Sequence, residues 1–200
     1  MLCKQSPYFA ATFNGEFKEG KEQSTTLEEI DGVVSTQSFQ MLAQWICLGQ
    51  IIFEDAPPEE QISAAIEFTR LADMCGVTGM ELMIAEHIND TIAANAAPHY
   101  GSVWRRNHNA NTSCVTLHHI TSAANLCVGH PVRSKLANSA VEEYLCLEEY
   151  KLVEESREVP SFSSDLLLAI KNTLKTMKCE DGRIEFKEPI SGDTLWLYKG

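Results

Sequence analysis

Apolar residues recur at three- and four-residue steps through most of this chain, a pattern that predicts a mainly α protein with little strand. Tyr8, Phe9, Ala11, Thr12 and Phe13 fall on one broad stripe between Lys4 and Phe17, which reads as one short helix or two half-turns closed by Gly20. Thr25, Thr26, Leu27 and Ile30 fit a short strand ahead of an Asp31-Gly32 turn. A helix is expected from about Ser38 to Leu48, where Phe39, Leu42, Trp45 and Ile46 keep helical spacing and Gly49 stops it. Pro57-Pro58 opens the next, with Glu59 and Glu60 in its first turn at the positive end of the dipole. Its two rows, Ile62/Ile66/Thr69 and Ala64/Phe68/Leu71/Cys75, imply burial on two sides and leave Glu67 and Arg70 for solvent.

Gly76 suits the left-handed position after that helix, and Thr78-Gly79-Met80-Glu81 reads as a capping box stapled by Val77 and Leu82. A helix pair, Glu59 to Cys75 and Gly79 to about Ala94, follows from this junction. His99 to Asn111 is polar and aperiodic, so the chain is divided into residues 1–95, a linker over 96–113, and a helical region over 114–200. Helices are expected near Val115 to Val128, Pro131 to Cys146 and Phe162 to Met177. Alternation at Ile184/Phe186 and Leu195/Leu197 around Ser191-Gly192-Asp193 predicts a C-terminal hairpin.

Four segments carry a family resemblance: Ser6-Pro7-Tyr8-Phe9, Phe17-Lys18-Glu19, Trp45-Ile46-Cys47-Leu48-Gly49 and Leu71-Ala72-Asp73-Met74-Cys75-Gly76-Val77. Over residues 1–95 the chain resembles BTB/POZ protein-interaction domains of the fungal type. Residues 119–174 look like the helical extension that follows the domain in such proteins. The resemblance implies an α+β variant of the mainly α class: an incomplete BTB/POZ fold with a strand remnant, a helical extension and a terminal hairpin. Because family members place two strands and most of a helix ahead of the Ser-x-Tyr-Phe segment, the chain reads as N-terminally truncated. It also implies an adaptor and not an enzyme, with no cofactor, that self-associates and docks on a cullin scaffold to bring substrates to a ubiquitin ligase. By the same resemblance, Met1, Leu2, Tyr8 and Phe9 belong to the self-association surface. The cullin surface would be the helix from Phe39 to Gly49 with the loop Ile51 to Glu59, including Phe53 and Glu54.

Composition narrows the partners. Two hundred residues with 44% hydrophobic and 22% charged side chains are ordinary for a globular protein. A net charge of −12 repels nucleic-acid phosphate and anionic lipid, so neither is an expected partner. The basic spot Trp104-Arg105-Arg106 reads as a solvated loop. Seven cysteines without regular spacing favour a reducing compartment, the cytoplasm or nucleus.

No nucleophile elbow, phosphate-cradling glycine loop or His-Glu-x-x-His helix occurs. Glu142/Glu143, Glu148/Glu149 and Glu154/Glu155 read as a solvated acidic face, since neighbours on a helix diverge by about 100°. His87 reads as a partly buried histidine, and Trp45, Met80 and Met83 as core. The alternative from another class is a small zinc-supported binding module using Cys114, His118, Cys127 and His130, whose softness and number suit zinc. A straight helix over 115–127 would hold the ends of that set about 18 Å apart, so the site requires a break near Ser122.

Overall fold

The computed structural model describes residues 2–16, 18–30, 32–98, 109–146, 150–180 and 183–197. The protein is mainly helical, and the chain divides into two compact units, Met1–Ile84 and Ala85–Gly200.

Unit one starts with α1 (Leu2–Gln5), α2 (Pro7–Asn14) and α3 (Lys18–Glu22). Ser6 caps α2: its hydroxyl accepts from the Phe9 N–H at 3.2 Å and donates to the Cys75 carbonyl at 2.6 Å, tying the start of the unit to the end of its longest helix. Next come α4 (Thr36–Leu48) and α5 (Pro58–Met74), which pack on each other. Ser35 and Ser38 form a reciprocal capping box at the start of α4, and Gly49, at φ +67°, returns its N–H to the Trp45 carbonyl. Both predicted rows of α5 are buried, with Ile62, Phe68, Leu71 and Ala72 fully enclosed.

Past α5, the Val77 N–H reaches back to the Ala72 carbonyl at 2.8 Å and Gly76 adopts φ +65°, the left-handed stop its sequence predicts. Then α6 (Glu81–Ala94) begins two residues later than expected. Its Glu81 carboxylate accepts from the Gly79 N–H at 2.8 Å, and Leu82 is exposed, so the expected staple onto Val77 does not form.

Two expectations in this unit are corrected. Thr25 to Glu29 form no strand, because among the described residues no segment offers their backbone a ladder; the bridge of Ile30 with Val34 closes on itself. Glu67 and Arg70 are not left to solvent. Glu67 accepts from the Ser35 hydroxyl at 2.9 Å, and Arg70 donates to the Gly32 carbonyl at 2.7 Å, so α5 holds the turn that leads into α4.

In unit two a short pair, β1 (Ala97–Pro98) with β2 (Asn109–Ala110), joins Ala97 to Ala110. The helices are α7 (Leu117–Ala123), α8 (Pro131–Ser139), α9 (Val141–Cys146), α10 (Val153–Glu158) and α11 (Pro160–Leu174). α11 packs against α8, α9 and α10. Two predicted helices are shorter than their apolar pattern. Thr116 caps α7 late, and beyond Ala123 the Asn125 amide takes the Thr121 and Ser122 carbonyls while Gly129 turns at φ +80°. The expected Pro131–Cys146 helix breaks at Ala140. There the Ser139 hydroxyl bonds the Leu136 carbonyl and the Ala140 N–H turns to Ala137, competing with the regular ladder.

The predicted hairpin is the second half of a three-stranded antiparallel meander, β3 (Lys178–Glu180), β4 (Arg183–Lys187) and β5 (Thr194–Leu197). Ile184 pairs with Leu197 and Phe186 with Leu195, and Phe186 and Leu195 are buried.

Candidate protein-interaction surfaces

The residues the sequence singles out for partner binding divide between two places on unit one. The first is a groove of about 630 Å³ walled by Phe9 and Phe13 of α2, Val34, Phe39 of α4 and the irregular segment Gln23 to Glu29. Phe9 is 2% exposed and stacks on Phe13 at 6.0 Å, with Tyr8 edge-on to it at 5.2 Å. It is therefore an anchor of the groove's floor and offers little contact area of its own. Tyr8 is half-buried and Phe39 is 44% exposed. Met1 and the side chain of Leu2 lie outside the described residues.

The second place is a hollow between α4 and the loop after it, lined by Gln37, Met41, Gln44, Ile52, Phe53 and Glu54. The Ile52 N–H donates to the Gln44 side-chain carbonyl at 2.9 Å, which lays the loop along the helix. Ile52 at 61% and Leu48 at 60% exposure stand out from it, while Ile51 and Phe53 are half-buried and Glu54 is exposed. At about 20 Å³ the hollow holds little more than one water. Leu48 and Ile52 lie within the helix and loop the sequence assigns to the cullin surface but are not singled out by it; their exposure shows only in the structure.

The zinc alternative does not assemble. Among the described residues no three His, Cys, Asp or Glu side chains converge as a metal site. The required break past Ser122 is present, but it leads to a separate cap: His118 and Cys127 are exposed, whereas Cys114 is buried and His130 accepts the Val132 N–H on Nδ1. The Trp104-Arg105-Arg106 spot and Glu148/Glu149 lie outside the described residues.

Glu142 and Glu143 are corrected from solvated to buried, each 3% exposed. Glu142 accepts from the Asn111 amide at 3.3 Å; Glu143 accepts from the Thr112 hydroxyl and from the Lys151 N–H at 3.2 Å. Lys151 donates to the Thr112 and Ser113 carbonyls, so the end of the segment read as a linker is held into the unit. Glu188 is also buried. One of its oxygens accepts the Ile190 and Ser191 N–H groups at 2.8 and 2.5 Å. Burial pushes its carboxyl above the ordinary range against those donors, and the charge of Glu142 pushes the same way.

Burial likewise pushes the Cys75 thiol up to about 11, which makes it a small hydrophobe and not a nucleophile. His87 is half-buried; burial lowers its pKa against the pull of Asp90. No protein-family model, curated protein or solved structure matches this chain.

Proposed function

We propose that the chain is a protein-interaction module of the BTB/POZ kind that works as an adaptor, without catalysis of its own, and docks on a cullin scaffold through α4 and the loop after it. The observation that carries this reading is the loop laid along α4 by the Ile52–Gln44 bond, with Leu48 and Ile52 standing out beside Glu54. Apolar side chains rimmed by polar ones are the composition of a contact surface. In the Ser-Pro-Tyr-Phe segment Phe9 is buried, so the self-association role that the resemblance implies for this segment falls to the half-buried Tyr8. Self-association would use the groove walled by Phe13 and Phe39, with Tyr8 edge-on to Phe9 of its floor. The seven cysteines form no disulfide, in keeping with a cytoplasmic or nuclear place of work. No described helix is long and apolar enough to cross a membrane.

Binding of the full chain to a purified cullin amino-terminal region, followed by biolayer interferometry, tests the assignment. Ile52→Asp is expected to weaken binding at least tenfold, and Leu82→Ser, another exposed apolar position, to leave it unchanged. No measurable binding by the unaltered chain removes the scaffold reading. Sedimentation velocity reads self-association separately.

A further inference from the structure

α11 has two apolar faces, and only one of them is used in the core. Phe162, Leu166, Ala169, Ile170 and Thr173 are buried. Toward solvent, Leu167 is 62% exposed, its neighbour Leu168 54% and Leu174 41%, and Met177 just past the helix 43%. At about 100° per residue, Leu174, Leu167 and Leu168 span about 120° of the helix surface, with Lys171 and Lys175 between them, an exposed apolar patch broken by two lysines. A helix that only had to close the core would carry polar residues there.

Charge tells what covers the patch. Lys171 and Lys175 rise from its middle, both exposed, and Lys178 follows. From Leu166 to Cys179 there is no Asp or Glu, in a chain whose net charge is −12. The Lys175 ammonium holds the Asn172 side chain of its own helix at 2.9 Å and needs no other group of this unit. Lysine stems extend the apolar patch while their ammonium groups ring it.

We propose that this face of α11 is a docking site for an acidic amphipathic helix of another protein, one with leucine-like residues at three- and four-residue steps and Asp or Glu at its margins. The row Leu167, Lys171, Leu174 is a ridge of the spacing that helices interdigitate. Two other occupants fit worse. A second copy packed on a two-fold axis would set Lys171 and Lys175 against their own images. An anionic bilayer would attract the lysines but meets the acidic remainder of the chain. The site lies in unit two, so it stands or falls independently of the cullin reading.

The test is selection of randomised sixteen-residue peptides from a display library on the full chain. Enriched peptides are expected to carry Leu, Ile or Phe at helical spacing with net negative charge. They should bind Lys171→Glu/Lys175→Glu and Leu167→Ser/Leu168→Ser chains at least tenfold more weakly. The charge-reversed chain, altered only at exposed positions and checked by circular dichroism, should select basic peptides from the same library. No enrichment, enrichment of basic or uncharged peptides, or equal binding to the variants overturns the proposal. So does co-sedimentation with phosphatidylserine vesicles that the acidic peptides fail to compete, or a dimer that the Leu167→Ser/Leu168→Ser change dissolves.

Discussion

The two units solve the same packing problem with different materials. Among the described residues of unit one, the buried polar side chains are Ser6, Ser38 and Thr69, all small and all bonded locally or to a carbonyl. Unit two buries Arg133, Glu142, Glu143 and Glu188, together with Asn111, Thr112, His119 and His130. From α7 to α10 its helices are short, and their ends are joined by side chains. Arg133 alone reaches the Asp165 carboxylate at 2.8 Å and the Leu126 and Ser161 carbonyls at 2.9 and 3.3 Å, joining α8 to α11 and to the loop after α7 from one position. An apolar helix pair tolerates loss of a polar contact but not loss of volume, whereas a unit cross-linked by buried charge depends on each partner.

That contrast breaks first at the core. Phe68, with no exposure, fills the middle of α5, and Phe68→Ala should cost unit one about 3–5 kcal/mol through the cavity it leaves. Amide hydrogen exchange should quicken along α4 and α5. Protection in those helices equal to that of the unaltered chain would mean that the unit is not held by apolar volume.

The corresponding change in unit two is Arg133→Ala, which strands a largely buried Asp165 and two carbonyls. Loss of one partner from a buried pair costs about 3–5 kcal/mol. Removing both charges with Arg133→Met/Asp165→Leu should recover part of it, read as a higher urea midpoint than the single variant. If the single change leaves the midpoint where it was, buried charge is not what joins α8 to α11.

Legibility in the sequence follows the same division. In unit one the apolar rows of α5 and the stop at Gly76 read directly, because each depends on residues within a turn or two. What failed there, the Thr25 to Ile30 strand and the staple at Leu82, required partners that local pattern does not encode. In unit two the apolar period overran both α7 and the α8–α9 break, since Asn125 and Ser139 end helices by side-chain bonds that leave the period intact. Glu142 and Glu143 look solvated as a pair of adjacent acids; their donors, Asn111 and Thr112, lie 31 residues upstream. For the contact surfaces, Phe39 and Glu54 were readable as types, while the exposure of Ile52 depends on one bond to Gln44.

A smaller effect sharpens the picture at the end of α5. Gly76 has φ +65°, and a Cβ there would meet the Pro7 ring at 3.1 Å; Gly49 has φ +67° and open space around it. Both Gly→Ala changes carry roughly 1–2 kcal/mol of left-handed strain. Gly76→Ala should cost more by the push on Pro7, and melting of the two variants side by side reads that difference. Equal losses would show that the start of α2 is free to shift.

The subtlest expectation concerns Glu188, where the buried chemistry of unit two meets pH. Its carboxyl is raised from its ordinary value near 4.5, chiefly by burial, with Glu142 adding to the shift. The native chain then holds a proton that the unfolded chain has released, so stability declines as pH climbs from about 4.5 through the raised value. Below that window both states are protonated and the group contributes its full stability. Because one oxygen already accepts two N–H groups, the proton belongs on the other, which is buried without a hydrogen-bond partner among the described residues. Glutamine copies the neutral acid at that position, keeping an acceptor for Ile190 and Ser191 and carrying no charge. Glu188→Gln should therefore raise the melting temperature at pH 8 and leave it nearly unchanged at pH 4. A variant that melts lower than the unaltered chain at pH 8 would mean that the ionised carboxylate is the form unit two is built around.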